Sequence, residues 1–585
     1  MLMCLTAAFV FGQSVPMPFD GDVRLKPSIT LNDKIVPLST IAIQLERATQ
    51  VHFTVDKSIR DRKVTVFVQD KPVSEVMWAV QSALFLQFEN SGDTYRLVLP
   101  DRIWHEEEEI IADEDDAVKN AISAELRRLA GLCTKSIHAM AQEVSELQEK
   151  MKPLVSKHDH DSVDEVSRCQ SRLNELEDYR VAGVALAMGP DFDAVTQRLV
   201  AGQSLAASSE SVYGLPQLDP RMVPDLRDGG LSLVFSSACA IMKYDALSHK
   251  LVIHVRTVGQ DDSNGVSMFD AIDLSPQIES GTARSKLRKR TNAWSQLLDT
   301  KVAFAKLPPK TPAPPASEYY GRAYSLADHL EYLSKAAQVP IVADAFRIAV
   351  SDERYMSGPD LITYIGNLRS IPKFGNALAS PGPIRTENGW LMVRHNHPWS
   401  RQLTEVPESV MQGLESEMNG DSTPSVDEYA DFVAKLSPIQ ALAFSKNNAI
   451  LMRCPTNPLH NILALNLWAH LTRAERDLAK SDSLTMGALD ADKRPLLFQC
   501  CLEILMDSLA NENNVKAVFS MDTGLRMSIE EVAAKPGAIT NNLERIRENS
   551  FGPNPGVVSV GQTIRFWFKH PNGILGYMTC QLLKR

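Results

Sequence analysis

The chain has 585 residues, of which 44% are hydrophobic and 23% are charged, and its formal net charge is -11 at pH 7. This composition excludes a chain that is disordered throughout, and the length exceeds what one hydrophobic core supports, so we expect several domains. The negative charge argues against a general nucleic-acid binder, because neutralising phosphates requires a concentrated basic surface. The one basic cluster, Arg284–Arg290, contains no aromatic residues and is interpreted as a solvated helix face or loop.

The N-terminal stretch Met1–Gly12 is an unbroken apolar run with the length of a signal-peptide core, and it is too short to span a bilayer. No Lys or Arg precedes this run, which a start codon placed too late would explain. We predict a signal peptide and N-terminal tail over residues 1–20, and therefore an extracytoplasmic protein, periplasmic or secreted. No other segment has the roughly 18 to 20 apolar residues of a membrane helix, so no transmembrane segment is expected in the mature chain.

Residues 21–104 predict a small α/β module. Pro37-Leu38-Ser39 opens an amphipathic helix with Ser39 as its predicted cap, and the alternating stretch Lys63–Gln69 follows as a half-buried strand. A second helix begins after Pro72, and a hairpin around residues 90–93 closes the segment. The predicted arrangement is two strand-helix-strand halves around one small sheet.

This pattern is carried by ITLNDKIVPLSTIAIQLERATQVHFTVD and KVTVFVQDKPVSEVMWAVQSALFLQFENSGDTYRLV. It resembles the short N-terminal domain shared by bacterial secretins and TonB-dependent receptors, over about 70 of the 585 residues. The resemblance implies a domain without an active site that binds other proteins, packs into rings or contacts signalling partners. The chain departs from these families because it lacks the long succession of amphipathic strands that builds a pore or barrel.

A degenerate second copy of the module is predicted over residues 321–400. Pro340–Asp344 stands where the first copy has His52–Asp56, and Asn388-Gly389 is a strong hairpin signal. Leu326 follows Leu38 at a distance of 288 residues. A further pair of similar strings, QRLVAGQSL and ERDLAKSDSL, places Leu478 at a distance of 279 residues from Leu199. These nearly equal separations predict a tandem duplication.

The predicted fold class is α+β and multidomain, with each βαβ-type module followed by a helical segment and a β-rich segment. The other predicted segments are a helical hairpin at 105–205, a β-rich segment at 206–306, a Pro-rich linker at 307–320, a helical segment at 401–510 and a C-terminal β-rich segment at 511–585.

Local clusters give no chemical signature. The run His158–Asp161 is interpreted as a helix turn, because consecutive residues rarely converge on one metal ion, and His105–Glu109 is interpreted as a solvated acidic loop. His395 and His397 follow a module strand as a small polar patch. Cys500 and Cys501 lie in an apolar stretch and are predicted to pack as small apolar residues. We therefore predict no catalytic residue, no cofactor-binding residue, no metal ligand and no cofactor.

The preferred hypothesis is a non-enzymatic protein-binding or assembly protein that meets protein partners through sheet edges or module faces. It has no predicted nucleic-acid partner, and the sequence leaves homo-oligomerisation open. Two alternatives remain. One is a hydrolase whose site is assembled from residues distant in sequence, and the other is a secretin-like subunit that oligomerises without a pore domain.

Overall fold

A computed structural model describes both halves of the chain, with gaps. The described residues are 19, 21–133, 136–155, 160–209, 215–223, 235–259, 266–278, 285–286, 289–290, 293–294, 330–331, 334–335, 338–344, 384–394, 403, 406–407, 409–410, 413–414, 416, 425–447, 458–507, 524–533, 559–570 and 573–584. Helices and strands are mixed in this part of the chain, and the strands form several separate sheets. The predicted α+β class is confirmed.

The first module forms two sheets with two helices packed against them. Its elements are β1 (Ser28–Pro37), α1 (Leu38–Thr49), β2 (His52–Val55), β3 (Lys63–Pro72), α2 (Val73–Leu84), β4 (Gln87–Ser91) and β5 (Thr94–Val98). β1 pairs antiparallel with β3, whereas β5 pairs parallel with β2 and antiparallel with β4. The predicted single sheet is therefore wrong. Because α2 is apolar on more than one side, it needs a sheet on each side, and both sheets share one core with it.

The module helices begin directly after prolines and not at the predicted serine cap. Pro37 and Pro72 occupy the N-cap positions, and no side chain caps either helix. The first N–H of α1, from Leu38, donates to the Arg62 carbonyl at 2.9 Å, and the first N–H of α2 also donates to a backbone carbonyl, at 3.0 Å. Because backbone carbonyls already accept from these helix starts, Ser39 is not the cap.

The 32-residue helix α3 (Asp101–Leu132) leads from the module into the rest of the first half. It includes His105–Glu109, so the predicted solvated acidic loop is wrong. The stretch is helical because Ile103, Glu107 and Ile110 repeat at helical spacing and are buried on one face. Glu108 and Glu109 of this stretch are exposed, and Glu106 is partly buried.

Four more helices continue the first half. They are α4 (Ile137–Val155), α5 (His160–Glu177), α6 (Tyr179–Ala187) and α7 (Phe192–Val200). Ion pairs join Glu143 to Arg172 (2.6 Å) and Lys150 to Glu165 (2.8 Å), so α4 and α5 run antiparallel. Apolar residues of α3, α4, α5, α6 and α7 form one cluster, which we call the first-half core.

An antiparallel sheet with the strand order β6-β7-β8-β9 completes the first half. It comprises β6 (Leu205–Ser208), β7 (Phe235–Asp245), β8 (Lys250–Gly259) and β9 (Val266–Asp273), and the short helix α8 (Ser275–Ile278) follows. Alternate residues of β7 enter different cores: Ala240 and Met242 belong to the first-half core, and Cys239 and Ile241 belong to a second-half core. This sheet is therefore covered on both faces.

The second half contains helices and strands, and its last four strands follow one another in their sheet as β6, β7, β8 and β9 do in theirs. Its elements are β10 (Ile341–Asp344), β11 (Ile384–Glu387), β12 (Trp390–Val393), α9 (Val426–Ala434), α10 (Pro438–Asn447), α11 (Pro458–His470), α12 (Arg473–Ser481), β13 (Leu484–Thr485), α13 (Arg494–Asp507), β14 (Arg526–Ala533), β15 (Ser559–His570) and β16 (Gly573–Lys584). The last four strands pair antiparallel in the order β13-β14-β15-β16. The string QRLVAGQSL covers the end of α7 and the first residue of β6. The similar string ERDLAKSDSL covers the end of α12 and the first residue of β13.

Helix α13 lies where the two halves meet. Cys500 and Cys501 are buried within it, and burial raises the pKa of both thiols, so they stay protonated and act as small apolar groups, as predicted. Glu503 on the same helix is 1% exposed and binds the Lys243 ammonium of β7 at 3.1 Å. The two halves are therefore joined by an apolar interface that contains a buried charge pair.

Two negative findings concern the described residues alone. None of their helices combines the length and the apolar character that crossing a membrane requires. None of the six cysteines in the described segments forms a disulfide.

Candidate protein-interaction site

The second-module strand β10 adds directly to the edge of the first module. β10 pairs antiparallel with β3, with Ile341 opposite Phe67 and Ala343 opposite Thr65. The resulting sheet has five strands in the order β1-β3-β10-β12-β11. On the other side of β10, the Leu391 N–H donates to the Pro340 carbonyl at 3.0 Å. Because successive residues of a strand point their backbone groups to opposite edges, Ile341 and Ala343 direct theirs at β3.

The three second-module strands repeat a pattern of the first module. β10 pairs parallel with β12, and β11 pairs antiparallel with β12 through a tight turn at Asn388-Gly389, where both residues have positive φ. β2, β5 and β4 have the same order and the same directions. β10 is therefore the counterpart of β2 in fold position.

The residues just before these two strands have the same local geometry. Gln50 and Gln338 both have a left-handed backbone, with φ of 61° and 55°. Each side-chain amide donates to the carbonyl three residues earlier, that of Arg47 at 3.2 Å and that of Lys335 at 2.9 Å. A left-handed residue other than glycine is uncommon, so its recurrence before both strands supports the equivalence of β2 and β10.

Side chains also hold the second-module strands on the first module. Trp390 of β12 is fully buried in the core of the first module, and its indole N–H donates to Glu75 of α2 at 3.4 Å. Lys34 of β1 forms an ion pair with Glu331, just upstream of β10. The contact therefore combines backbone pairing, apolar burial and a charge pair.

A cluster of arginines and acids closes the end of this contact. Arg394, directly after β12, is 3% exposed, and its guanidinium stacks at 3.5 Å on the ring of Phe85. Burial lowers the pKa of Arg394 to about 10, whereas the negative charges of Asp344 and Glu107 raise it. Glu107 in turn accepts a hydrogen bond from Arg62 at 2.6 Å. Opposite charges therefore meet where β10 and α3 lie beside the residues that precede β3 and follow β12.

The basic cluster predicted to be solvated contributes to this contact. Arg290 is half-buried, forms an ion pair with Glu106 of α3 and lies 5.1 Å from the centre of the Phe85 ring. Lys286 pairs with Glu109 of α3 at 3.1 Å and is well exposed. The prediction of a solvated face is wrong for Arg290, because acidic residues of α3 and an aromatic ring face it.

The outer edge of β2 differs from its counterpart in one side chain. The His52 N–H donates to the carbonyl of Asp93, directly before β5, and the Asp56 N–H donates to Leu97 of β5, so Phe53 and Val55 direct their backbone groups to the opposite edge. There the Phe53 N–H donates to the Glu46 carboxylate at 3.0 Å, and this hydrogen bond, with help from His52, lowers the pKa of Glu46. Among the described residues no strand pairs with this edge.

The other residues considered from the sequence do not converge. His158–Asp159, His395 and His397 lie outside the described residues, and His160 begins α5. In the part of the chain that is described, no group of three His, Cys, Asp or Glu side chains could hold a metal ion. The role of Glu46 at the edge of β2 was not predicted from the sequence. The available signal was its position six residues before β2, where the second module has Ser334.

Comparisons with known proteins give no family assignment. No protein-family model, no curated protein and no solved structure matches the chain.

Proposed function

We propose that this chain is a non-enzymatic, extracytoplasmic protein-binding or assembly protein. Its first module and the degenerate second copy are of the type of the secretin and TonB-dependent receptor short N-terminal domain, and they arose by tandem duplication. The extracytoplasmic location rests on the apolar run Met1–Gly12.

The observation that carries this proposal is the addition of β10 to β3. A sheet edge offers unpaired N–H and C=O groups, so an extended segment of another chain can extend the sheet in the way β10 does here. Backbone pairing supplies affinity, and the alternating side chains of the added strand supply specificity. The same chemistry that joins the two modules would thus recruit a protein partner.

The proposal is tested by site-specific photo-crosslinking of the full chain in its native host. A photoreactive residue is placed at His52 or Glu89, which are exposed on the first module, and at Val163 of α5 as the control. We expect a discrete covalent adduct with another protein from at least one module position and none from Val163. No adduct from either module position, or identical adducts from all three positions, would contradict the proposed function.

A further inference from the structure

We infer that the outer edge of β2 is a second strand-addition site, which the Glu46 carboxylate closes in the free protein. This inference rests on the proposed function and specifies where a partner binds. It follows from comparing the two equivalent strands of the chain, β2 and β10, of which one has an added strand and the other has a carboxylate in its place.

The edge of β2 has the geometry that strand addition requires. Phe53 and Val55 direct their backbone groups away from β5, as Ile341 and Ala343 of β10 direct theirs at β3. Glu46 and His52, which stand at this edge, have side chains that are 43% and 59% exposed. The side chains that border the outward backbone groups of Phe53 and Val55 are therefore accessible to solvent.

The difference between the two edges comes from one residue position. Glu46 of α1 lies six residues before His52, the first residue of β2. In the second module, Ser334 lies six residues before Pro340, the counterpart of His52. The Ser334 hydroxyl donates to the Val339 carbonyl at 2.8 Å, so it leaves the backbone of β10 to β3. The longer Glu46 side chain instead accepts a hydrogen bond from the outward N–H of Phe53, and a charged side chain at a sheet edge opposes strand addition.

The expected occupant is an extended segment of a partner protein that resembles β3. In this chain β3 is what the equivalent edge binds, antiparallel and with the β-branched residues Val64, Val66 and Val68 on one face. The β3 strand of a second copy cannot fill this role, since its two edges are already paired with β1 and β10. The partner is therefore a different protein with a short alternating Val- or Ile-rich strand.

The affinity of the β2 edge for an added strand is reduced, because the hydrogen bond from the Phe53 N–H to Glu46 must first be broken. A hydrogen bond to a charged acceptor contributes enough that its loss corresponds to roughly a tenfold change in a binding constant. Replacing Glu46 by Ser, the residue of the second module, removes the closing group without adding a new one.

The test uses the intact chain and a synthetic probe, the blocked peptide DRKVTVFVQDK, which copies residues 61–71. Fluorescence anisotropy of the labelled peptide measures affinity, and hydrogen exchange with mass spectrometry locates the site. The variants are Glu46→Ser and, as the charge-matched control on the opposite edge strand β4, Glu89→Ser. A peptide with proline in place of Thr65, one of the positions that pairs with β10, is the control for backbone pairing.

We expect Glu46→Ser to bind the peptide about tenfold more tightly than the unmodified chain or Glu89→Ser. The bound peptide should slow exchange in the segment that contains Phe53 and Val55, and the proline peptide should not bind. Equal affinity of the two variants would overturn the inference, as would faster exchange over Ile341–Asp344, which would mean that the peptide displaces β3. If these results occur while photo-crosslinking still captures a partner, the β2 site fails and the proposed function stands.

Discussion

The Ala343→Pro substitution is expected to lower the free energy of unfolding by about 3 kcal/mol or more. Ala343 lies in β10, between β3 and β12, and its N–H is directed at β3 opposite Thr65. Proline removes this donor from the interior of a five-stranded sheet and introduces a ring where no space exists, since Ala343 is fully buried. Chemical denaturation followed by tryptophan fluorescence and circular dichroism measures the change.

The matched control for this prediction is Ala343→Gly, which keeps the N–H and removes one methyl group. It should cost only about 1 kcal/mol, from the lost methyl group and the added backbone freedom. If proline and glycine at this position have equal effects, backbone pairing between β10 and β3 does not stabilise the protein.

The Glu503→Ala substitution is expected to destabilise the protein by about 3 to 5 kcal/mol, because it leaves the Lys243 ammonium without its counter-charge in a poorly solvated place. The two side chains are 1% and 13% exposed, and their atoms are 3.1 Å apart. They join α13 of the second half to β7 of the first half, so the loss reports on the interface between the halves. Thermal and chemical unfolding of the full chain provide the measurement.

A second variant separates the charge pair from the packing of the interface. The double substitution Lys243→Met with Glu503→Leu replaces both charges by apolar groups of similar size, and such replacements are often neutral or stabilising. It should recover most of the stability lost by Glu503→Ala. If the double variant is as unstable as the single one, the loss comes from packing and not from an unpaired charge.

The local elements of the modules could be predicted from sequence, because their signals are local. The alternation in Lys63–Gln69 and the Asn388-Gly389 turn correctly indicated β3 and the β11–β12 hairpin. The predicted second-module segment Pro340–Asp344 contains β10. In each case the periodicity or the turn chemistry acts within a few residues of the chain.

The pairing between the modules could not be predicted, because it depends on contacts between distant residues. Nothing near Ile341 in the sequence indicates that it lies opposite Phe67, and nothing near Pro72 indicates that α2 has a sheet on each side. The acidic stretch at the start of α3 was misinterpreted for the same reason. Glu107 is buried in an ion pair with Arg62, which comes from another part of the chain, so its burial could not be read from the neighbouring residues.

β10 extends the sheet of the first module, with Ile341 opposite Phe67 and Val342 opposite Val66. Val66 and Val342 are fully buried and lie opposite each other as a pair without mutual hydrogen bonds. The Cα atoms of such a pair are about 4.5 Å apart in antiparallel sheets. This distance lies within the roughly 4.4 to 6.8 Å that separates the Cα atoms of disulfide-bonded cysteines. Oxidation of the Val66→Cys/Val342→Cys variant, followed by peptide mapping with mass spectrometry, should therefore yield an intramolecular disulfide. The Val66→Cys/Ala343→Cys variant, one residue out of register, should not. A disulfide in neither variant, or in the second alone, would contradict this register of β10 on β3.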